Sequence, residues 1–270
     1  MNIRVPKFMI LIVLLAFLSS CSSNPAGRVA YETFSNTSTD GYPSVSQDFV
    51  VPSWARDYPS IIEEFQKYAE YLIKDDLEGA FDNNVFSTPD NKLAYNWSCM
   101  EIEANIWSYR DFPKAREAFG YALKDLNGNG DTELILILKD YTVLAIFSMS
   151  NGMPTLMDAY WPKHRCAILN SGLLYTLTSS GADDWYYKTQ KISQDGSELL
   201  PTEEFGSTSV DEQSSTTFSD PRYYKVIDGK KAYLSEKEFN DYSNKFPILT
   251  NTTASEITKK SGLVFIPLFP

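Results

Sequence analysis

The sequence predicts an α+β domain, in which N-terminal helices are followed by an antiparallel β meander and a late short helix. Apolar residues repeat at helical spacing in the segment that begins near residue 60, whereas short β-rich runs separated by turn residues dominate after Phe119. Because helices followed by strands differ from the alternation seen in parallel α/β proteins, the order of elements favours the α+β class.

The amino terminus has the pattern of a bacterial export signal. Arg4 and Lys7 precede an unbroken apolar run over residues 8–18, which is shorter than the about 20 residues that span a bilayer as a helix. Leu18-Ser19-Ser20-Cys21 resembles the lipobox of bacterial lipoproteins, in which the cysteine is acylated and becomes the new amino terminus. The alternative is an ordinary signal peptide that contains a cysteine.

We therefore predict a signal peptide at residues 1–20, and a protein held to the cell membrane by lipid on Cys21 and facing outside the cytoplasm. Residues 21–50 are rich in Ser, Thr, Asn, Gly and Pro, which predicts a flexible tether. Residues 51–270 are predicted to form a single globular α+β domain.

The charge of the chain excludes one class of partner. The net charge is −11, and it becomes −13 once Arg4 and Lys7 leave with the signal peptide, which contains no acidic residue. Nucleic-acid binding depends on Lys and Arg neutralising phosphates, so no nucleic-acid partner is expected. Acidic character suits solubility and the attraction of cations.

Four helices are predicted. Ser60-Ile61-Ile62-Glu63 has the spacing of a capping box, and Ile61, Phe65, Tyr68 and Leu72 then repeat at helical spacing. The first helix is accordingly expected from Ser60 to Asp75. The other three are expected at Asn91–Asn105, Lys114–Phe119 and Ser235–Tyr242.

The strands are predicted from β-rich runs bounded by turn residues such as Asn151-Gly152 and Asp228-Gly229. The candidate strands are Glu133–Leu138, Tyr141–Met149, Thr155–Tyr160, Cys166–Leu169, Leu173–Leu177, Asp184–Ile192 and Tyr223–Ile227. Gly206–Asp220 is polar and rich in Ser and Thr, which predicts a surface loop, and the short apolar segment Gly262–Phe269 predicts a buried terminal strand.

One stretch of the mature chain carries a chemical signature. In residues 125–133, DLNGNGDTE, oxygen-bearing side chains fall at loop positions 1, 3, 5, 7 and 9. Calcium prefers six to eight oxygen ligands, and alternate residues of a tight loop can converge on one ion. The candidate ligands are Asp125, Asn127, Asn129, Asp131 through its backbone carbonyl, and Glu133.

This loop is not an EF-hand, because position 12 is Leu136, where an EF-hand needs a bidentate glutamate. It resembles the DxDxDG-type calcium loops that lie between strands, as in integrin-type FG-GAP repeats. Two ligands are Asn in place of Asp, so we expect weak Ca²⁺ binding, with a dissociation constant on the order of 10⁻⁴ to 10⁻³ M. The alternative is an Asn-Gly hairpin turn with incidental carboxylates.

A longer segment resembles a family. Residues 120–135, GYALKDLNGNGDTELI, are similar to the GYALxDxNGDGxxELI core of uncharacterised lipoproteins and surface proteins of Gram-positive anaerobic gut bacteria. The segments around Trp185, Glu236 and Pro267 are similar too, so that the resemblance covers residues 58–270 in outline. It implies a surface location and a fold but no reaction, and it departs at Asn129, where the family more often has Asp.

No catalytic constellation is recognisable in the sequence. His164 is the only histidine, and Cys166 two residues later could face it on a strand, although nothing supplies an orienting partner. An envelope glycan hydrolase with paired carboxylates stays open as the alternative function, with Asp183 and Asp184 as the pair to inspect first. Cys99 and Cys166 either form one disulfide or remain buried thiols.

Aromatic residues suggest a second, weaker site. Trp185, Tyr186 and Tyr187 are candidates for contact with a ligand, because flat rings stack on sugars and fill protein interfaces. The alternative is that these rings pack the core and cover the sheet. The prediction is thus a non-enzymatic surface module with a structural calcium loop, whose partners are the membrane and a cell-wall polymer or surface protein.

Overall fold

The computed structural model describes residues 57–74, 115–161, 163–211 and 216–269, which all belong to one compact unit, Ser46–Pro270. The predicted signal peptide, Cys21, the tether, Cys99 and the predicted helix Asn91–Asn105 lie outside the described residues.

The described residues form helices α1 (Tyr58–Ile73), α2 (Glu236–Ser243) and α3 (Asn251–Lys260), and one turn of 3-10 helix at Ala115–Ala118. The strands are β1 (Phe119–Lys124), β2 (Glu133–Leu138), β3 (Val143–Ser150), β4 (Met153–Ala159), β5 (His164–Ile168), β6 (Leu174–Ser179), β7 (Trp185–Ile192), β8 (Leu199–Asp211), β9 (Thr216–Ile227), β10 (Lys230–Leu234) and β11 (Ile266–Pro267).

The strands form two antiparallel sheets. Sheet A has the order β11-β1-β2-β3-β4, and sheet B has the order β10-β9-β8-β7-β6-β5. Each sheet is a meander of sequence neighbours, apart from β11, which returns to pair with β1. The predicted antiparallel meander is confirmed in kind, although it is divided between two sheets.

Three apolar clusters show how these elements are layered. Side chains of α1 pack with one face of β2 in the first cluster, which includes Phe65 and Leu136. The second cluster joins the other face of β2 to sheet B and includes Ile135 and Ile168. The third lies on the far side of sheet B, where Tyr175 packs with Ala254 of α3. The described layers are therefore helix, sheet A, sheet B and helix.

This layering explains the unusual sequence of β2, Glu-Leu-Ile-Leu-Ile-Leu. Every residue of the strand is buried. Leu134, Leu136 and Leu138 face α1, while Ile135 and Ile137 face sheet B. A strand covered on both faces has no reason to alternate apolar with polar residues, so the continuous apolar run is the expected pattern.

Helix α1 begins at Tyr58, two residues before the predicted start. The Asp57 carboxylate accepts the backbone N–H of Ser60 at 2.9 Å, which is the hydrogen bond of an N-cap residue. The sequence predicted Ser60 as the cap of this helix, but Ser60 lies within its first turn. The prediction for α2 is confirmed, because Ser235 caps this helix in a capping box with Glu238.

The predicted surface loop Gly206–Asp220 is wrong, because most of it is strand. Its first residues continue β8, where Ser207 pairs with Trp185 of β7, and its last residues belong to β9. Ser207 and Thr208 are buried. Because β8 lies between β7 and β9, its backbone forms strand hydrogen bonds on both sides, although its polar side chains gave no sign of a strand. Threonine is also β-branched and therefore suits a strand.

The predicted helix Lys114–Phe119 is also wrong in extent. Only one turn of 3-10 helix is described, and Phe119 opens β1, which the sequence did not predict as a strand. Pairing of β1 with β2 and β11 decides the conformation here. The predicted terminal strand Gly262–Phe269 is reduced to Ile266–Pro267.

Helix α3 was not predicted. It begins after Thr250, whose hydroxyl accepts the backbone N–H of Thr253, and Thr253 bonds back to the Thr250 N–H. The reciprocal cap thus uses threonine where the sequence signature expects Glu or Gln. None of the helices in the described ranges is both long and apolar enough to cross a bilayer.

Candidate metal site

The predicted calcium loop joins β1 to β2 at one end of sheet A. Lys124 and Glu133 are the last paired residues of the two strands, so residues 125–132 form the connection. Gly128 and Gly130 have φ angles of +76° and +96°, which place both in the left-handed region that favours glycine. These two residues let the chain fold back on itself within the connection.

The side-chain oxygens of the loop point at its own backbone. The Asp125 carboxylate accepts the N–H groups of Gly128 at 2.6 Å and Gly130 at 3.0 Å. The Asn127 Oδ1 accepts the N–H of Asn129 at 3.0 Å, and the Asn129 Oδ1 accepts the N–H of Asp131 at 2.7 Å. The oxygens at positions 1, 3 and 5 are therefore oriented by one network of hydrogen bonds.

Glu133 occupies a different position, beneath the loop. Its side chain is almost fully buried, and its carboxylate accepts the Leu126 N–H at 2.6 Å and the Ser148 hydroxyl at 3.1 Å. Burial raises the pKa of Glu133, the two hydrogen bonds oppose that rise, and the negative charge of Asp125 adds to it. The residue at position 9 thus ties the start of the loop to β2 and β3.

The side-chain oxygens of the loop are of the carboxylate and amide types that hard cations such as Ca²⁺ prefer as ligands. Among the described residues, no three His, Cys, Asp or Glu side chains are grouped closely enough to hold a metal ion by themselves. An ion at this loop would therefore depend on amide and carbonyl oxygens as well as on Asp125. Carboxylate and amide oxygens have more than one lone pair, so each retains an acceptor position after its hydrogen bond to the loop.

The loop also contacts sheet B. The Asn127 Nδ2 donates to the Ser193 carbonyl at 2.8 Å, and the Asn129 Nδ2 donates to the Gln194 carbonyl at 2.9 Å. The Gln194 side-chain amide donates in return to the Asn127 carbonyl. Sequence reasoning missed Ser193 and Gln194, because they lie more than 60 residues away in the turn between β7 and β8.

Two glycines of sheet B allow this close contact. A Cβ atom at Gly172 would lie 2.1 Å from the Leu126 carbonyl oxygen, and one at Gly196 would lie 2.2 Å from the Met149 carbonyl oxygen. Both residues have positive φ angles and belong to turns of sheet B. The backbone of sheet B therefore comes close to the loop at Leu126 and to β3 of sheet A at Met149.

The three aromatic residues predicted to contact a ligand do not share one face. Trp185 and Tyr187 belong to an aromatic cluster with Phe205 and Phe239, in which the Trp185 and Phe239 rings lie 5.8 Å apart and those of Tyr187 and Phe205 lie 5.2 Å apart. Phe239 belongs to α2, so this helix packs on the cluster. Tyr186 points to the opposite face of β7, where Lys188 lies 5.3 Å from its ring.

His164 has partners that the sequence did not reveal. Its Nε2 lies 2.8 Å from the Asp158 carboxylate and its Nδ1 lies 2.7 Å from the Thr178 hydroxyl. Cys166 is a buried free thiol, and burial raises its pKa far above the ordinary value. A thiol held neutral is a poor nucleophile, so the arrangement does not activate Cys166. The Asp158–His164–Thr178 chain instead links β4 of sheet A to β5 and β6 of sheet B.

Asp183 and Asp184, the candidate carboxylate pair of a glycan hydrolase, differ in environment. Asp183 is exposed, whereas Asp184 accepts the Ser209 N–H at 2.7 Å and the Ser209 hydroxyl at 2.6 Å. Burial alone would raise the pKa of Asp184, but the hydrogen bonds from Ser209 and Thr208 and the charge of Lys231 lower it overall. This shift is the opposite of the one that a general acid needs, and both oxygens of Asp184 accept hydrogen bonds from Ser209.

No protein-family model, no curated protein and no solved structure matches the chain at a significant level.

Proposed function

We propose that this chain is an exported, lipid-anchored surface protein whose domain is a non-enzymatic binding module with a structural calcium ion in the Asp125–Glu133 loop. One observation carries the calcium proposal. The side-chain oxygens of Asp125, Asn127 and Asn129 are turned toward the same short loop by bonds to its backbone. Oxygens already oriented for an ion lose less conformational entropy when the ion binds.

The residues assigned to the ion have separate roles. Asp125, Asn127 and Asn129 would bind through side-chain oxygens, and Asp131 would bind through its backbone carbonyl. Glu133 would close the site, in addition to its bonds to Leu126 and Ser148. The ion would supply two positive charges that hold these oxygens together and stiffen the junction between β1 and β2.

The charge of the chain is consistent with a cation as ligand. The net charge of −11 attracts divalent ions, whereas the loop itself contributes few full negative charges because positions 3 and 5 are asparagine. Weak binding, on the order of 10⁻⁴ to 10⁻³ M, is the range of extracellular calcium modules. A protein exported through the signal at residues 1–20 would meet calcium in that range.

The proposed anchor is lipid on Cys21, and the proposed partner of the domain is a cell-wall polymer or another surface protein. The anchor is tested in cells by labelling with an alkynyl fatty acid. The wild-type chain should take up the label, and Cys21→Ser should lose both the label and the membrane association. Equal labelling of the two chains would refute lipidation at Cys21.

The calcium proposal is tested by NMR on the full chain in a mild detergent, with the amide signals of Gly128 and Gly130 as reporters. Calcium should shift both signals with a midpoint on the order of 0.1 to 1 mM. Asp125→Asn should abolish the response, whereas Asp228→Asn, in the turn between β9 and β10, should leave it intact. Unchanged Gly128 and Gly130 signals at 10 mM calcium, about ten times the weakest expected dissociation constant, would overturn the proposal.

A further inference from the structure

We infer that Asn127, Asn129 and Gln194 form a latch that holds the Asp125–Glu133 loop against sheet B, and that Gln194 is a positioning residue for the loop oxygens. The part of this inference that concerns the ion rests on the proposed function. The contact between the loop and sheet B can be tested without any ion. The latch is defined by the amide groups of these three side chains together with the backbone carbonyl groups that accept from them, those of Ser193, Gln194 and Asn127.

Each asparagine of the loop has two distinct partners. The Oδ1 atoms accept backbone N–H groups of the loop, from Asn129 and Asp131 respectively. The Nδ2 groups donate to backbone carbonyls of sheet B. A backbone N–H can only donate and a carbonyl can only accept, so neither amide can be turned over without losing both bonds.

This geometry gives a physical reason for asparagine at loop positions 3 and 5. An aspartate at either position would keep the oxygen that faces the loop, but it would set a second carboxylate oxygen against a carbonyl oxygen of sheet B. A carboxylate has no proton to donate at neutral pH, so the contact would become repulsive. Compared with aspartate, asparagine at these positions brings no negative charge to a bound cation, but it can donate the hydrogen bond to sheet B.

Gln194 completes the latch from the other side. Its backbone carbonyl accepts from Asn129 and its side-chain amide donates to the Asn127 carbonyl, so one residue of the β7–β8 turn contacts both asparagines. The bond to the Gln194 carbonyl restricts the rotation of the Asn129 side chain, and the bond from the Gln194 amide holds the Asn127 backbone against sheet B, so that both fix where the loop oxygens lie. Binding of an ion by those oxygens and docking of the loop on sheet B must then favour each other, because such coupling is reciprocal.

The latch is tested first by thermal unfolding of the full chain in EDTA. Asn127→Asp and Asn129→Asp should each lower the melting temperature by roughly 2 to 6 °C, through a lost hydrogen bond and a new repulsion. Asn151→Asp makes the same chemical change in the exposed β3–β4 turn and should have almost no effect. Equal melting temperatures for the three variants would overturn the latch.

The role of Gln194 is tested by calcium titration of the NMR signals of Gly128 and Gly130. Gln194→Ala should raise the calcium midpoint several-fold, and Gln194→Met, which keeps a long side chain but has neither the donor nor a charge, should raise it as well. Ser209→Ala removes a bond to Asp184 and serves as a control that lowers stability without shifting the midpoint. A midpoint unchanged by Gln194→Ala would overturn its positioning role.

The two experiments separate this inference from the proposed function. In one outcome, calcium does not shift the NMR signals of the wild type, but Asn129→Asp still lowers the melting temperature in EDTA. This result would refute the calcium proposal and the positioning of an ion by Gln194, and it would support the latch. In the opposite outcome, the wild type responds to calcium, but Asn127→Asp and Asn129→Asp are as stable as Asn151→Asp. This result would refute the latch and support the calcium proposal.

Discussion

The carbonyl oxygen of Leu126 occupies the space next to Gly172 that a side chain would need. A Cβ atom at residue 172 would stand 2.1 Å from this oxygen, and the φ angle of Gly172 is +82°. Leu126 follows β1 of sheet A, whereas Gly172 lies in the turn between β5 and β6 of sheet B. The contact shows that the Asp125–Glu133 loop is part of the junction between the two sheets.

Gly172→Ala should therefore destabilise the protein more than a positive φ angle alone would. Gly152→Ala is the matched control, because Gly152 has a φ angle of +77° but no atom within 4 Å of an added Cβ. We expect a cost of about 1 kcal/mol for Gly152→Ala and at least about 2 kcal/mol more for Gly172→Ala. Urea unfolding of both variants measures the difference, and equal costs would show that the sheets do not approach each other at Leu126.

Glu133→Ala should lower the free energy of unfolding by about 2 to 4 kcal/mol, because it leaves the buried Leu126 N–H without an acceptor and opens a cavity. Glu133→Gln should cost less, since its amide can accept from Leu126 and donate to the Ser148 hydroxyl. Urea unfolding in EDTA gives both values. A Glu133→Ala variant as stable as the wild type would mean that the residue does not tie the loop to the core.

Cys166 should resist alkylation in the folded protein, because burial raises the pKa of its thiol and excludes the reagent. The measurement uses the full chain with Cys21→Ser and Cys99→Ser, so that one thiol remains. Iodoacetamide should modify it at least about 100-fold more slowly in buffer than in denaturant, as expected for a group exposed only by opening of the structure. Rapid native labelling would point to a reactive thiol beside His164.

The Asp184 carboxylate should contribute stability that depends on pH. Its folded-state pKa is lowered, so the contribution is fully present above the unfolded pKa of about 3.9 and is lost as pH falls through the lower folded value. The stability of the wild type over Asp184→Asn should be constant from pH 7 to about pH 5 and shrink below about pH 4. Urea unfolding across this range measures the difference, and a difference that does not shrink below about pH 4 would contradict the expectation.

The local patterns of the sequence predicted those elements that depend on neighbouring residues. The apolar spacing of Ile61, Phe65 and Tyr68 predicted α1, since its apolar side faces one sheet. The Ser235 and Glu238 pair predicted the start of α2 for the same local reason. The hairpins formed by β3 with β4 and by β5 with β6 followed from their turn residues, because a hairpin needs little beyond its own residues.

The errors occur where distant pairing decides the conformation. Nothing near Ser207 indicates that it will pair with Trp185 in the middle of sheet B, so its polar neighbourhood was interpreted as a loop. Phe119 was predicted to end a helix, but it begins β1, which pairs with β2 and β11. Thr253 completes the cap of α3 with a residue type that the usual signature omits.

The candidate site shows the same division. The spacing of Asp125, Asn127 and Asn129 along the chain was enough to predict a tight loop, because the hydrogen bonds of their side-chain oxygens are made within the loop itself. The partners in the second sheet, Ser193 and Gln194, could not be predicted, because their place beside the loop results from the packing of two separate sheets. The same is true of Asp158 and Thr178 at His164, since the histidine alone gave no indication of which groups would face it.

The most direct test of calcium binding at the Asp125–Glu133 loop is thermal unfolding of the full chain in EDTA and in 10 mM calcium, a concentration about 10 to 100 times the expected dissociation constant. Mass action predicts about 1.4 to 2.7 kcal/mol of stabilisation, which corresponds to a rise in melting temperature of about 3 to 10 °C. Asp125→Asn should lose most of that rise, and Asp228→Asn should keep it. A wild-type melting temperature that is the same in EDTA and in calcium would contradict the account.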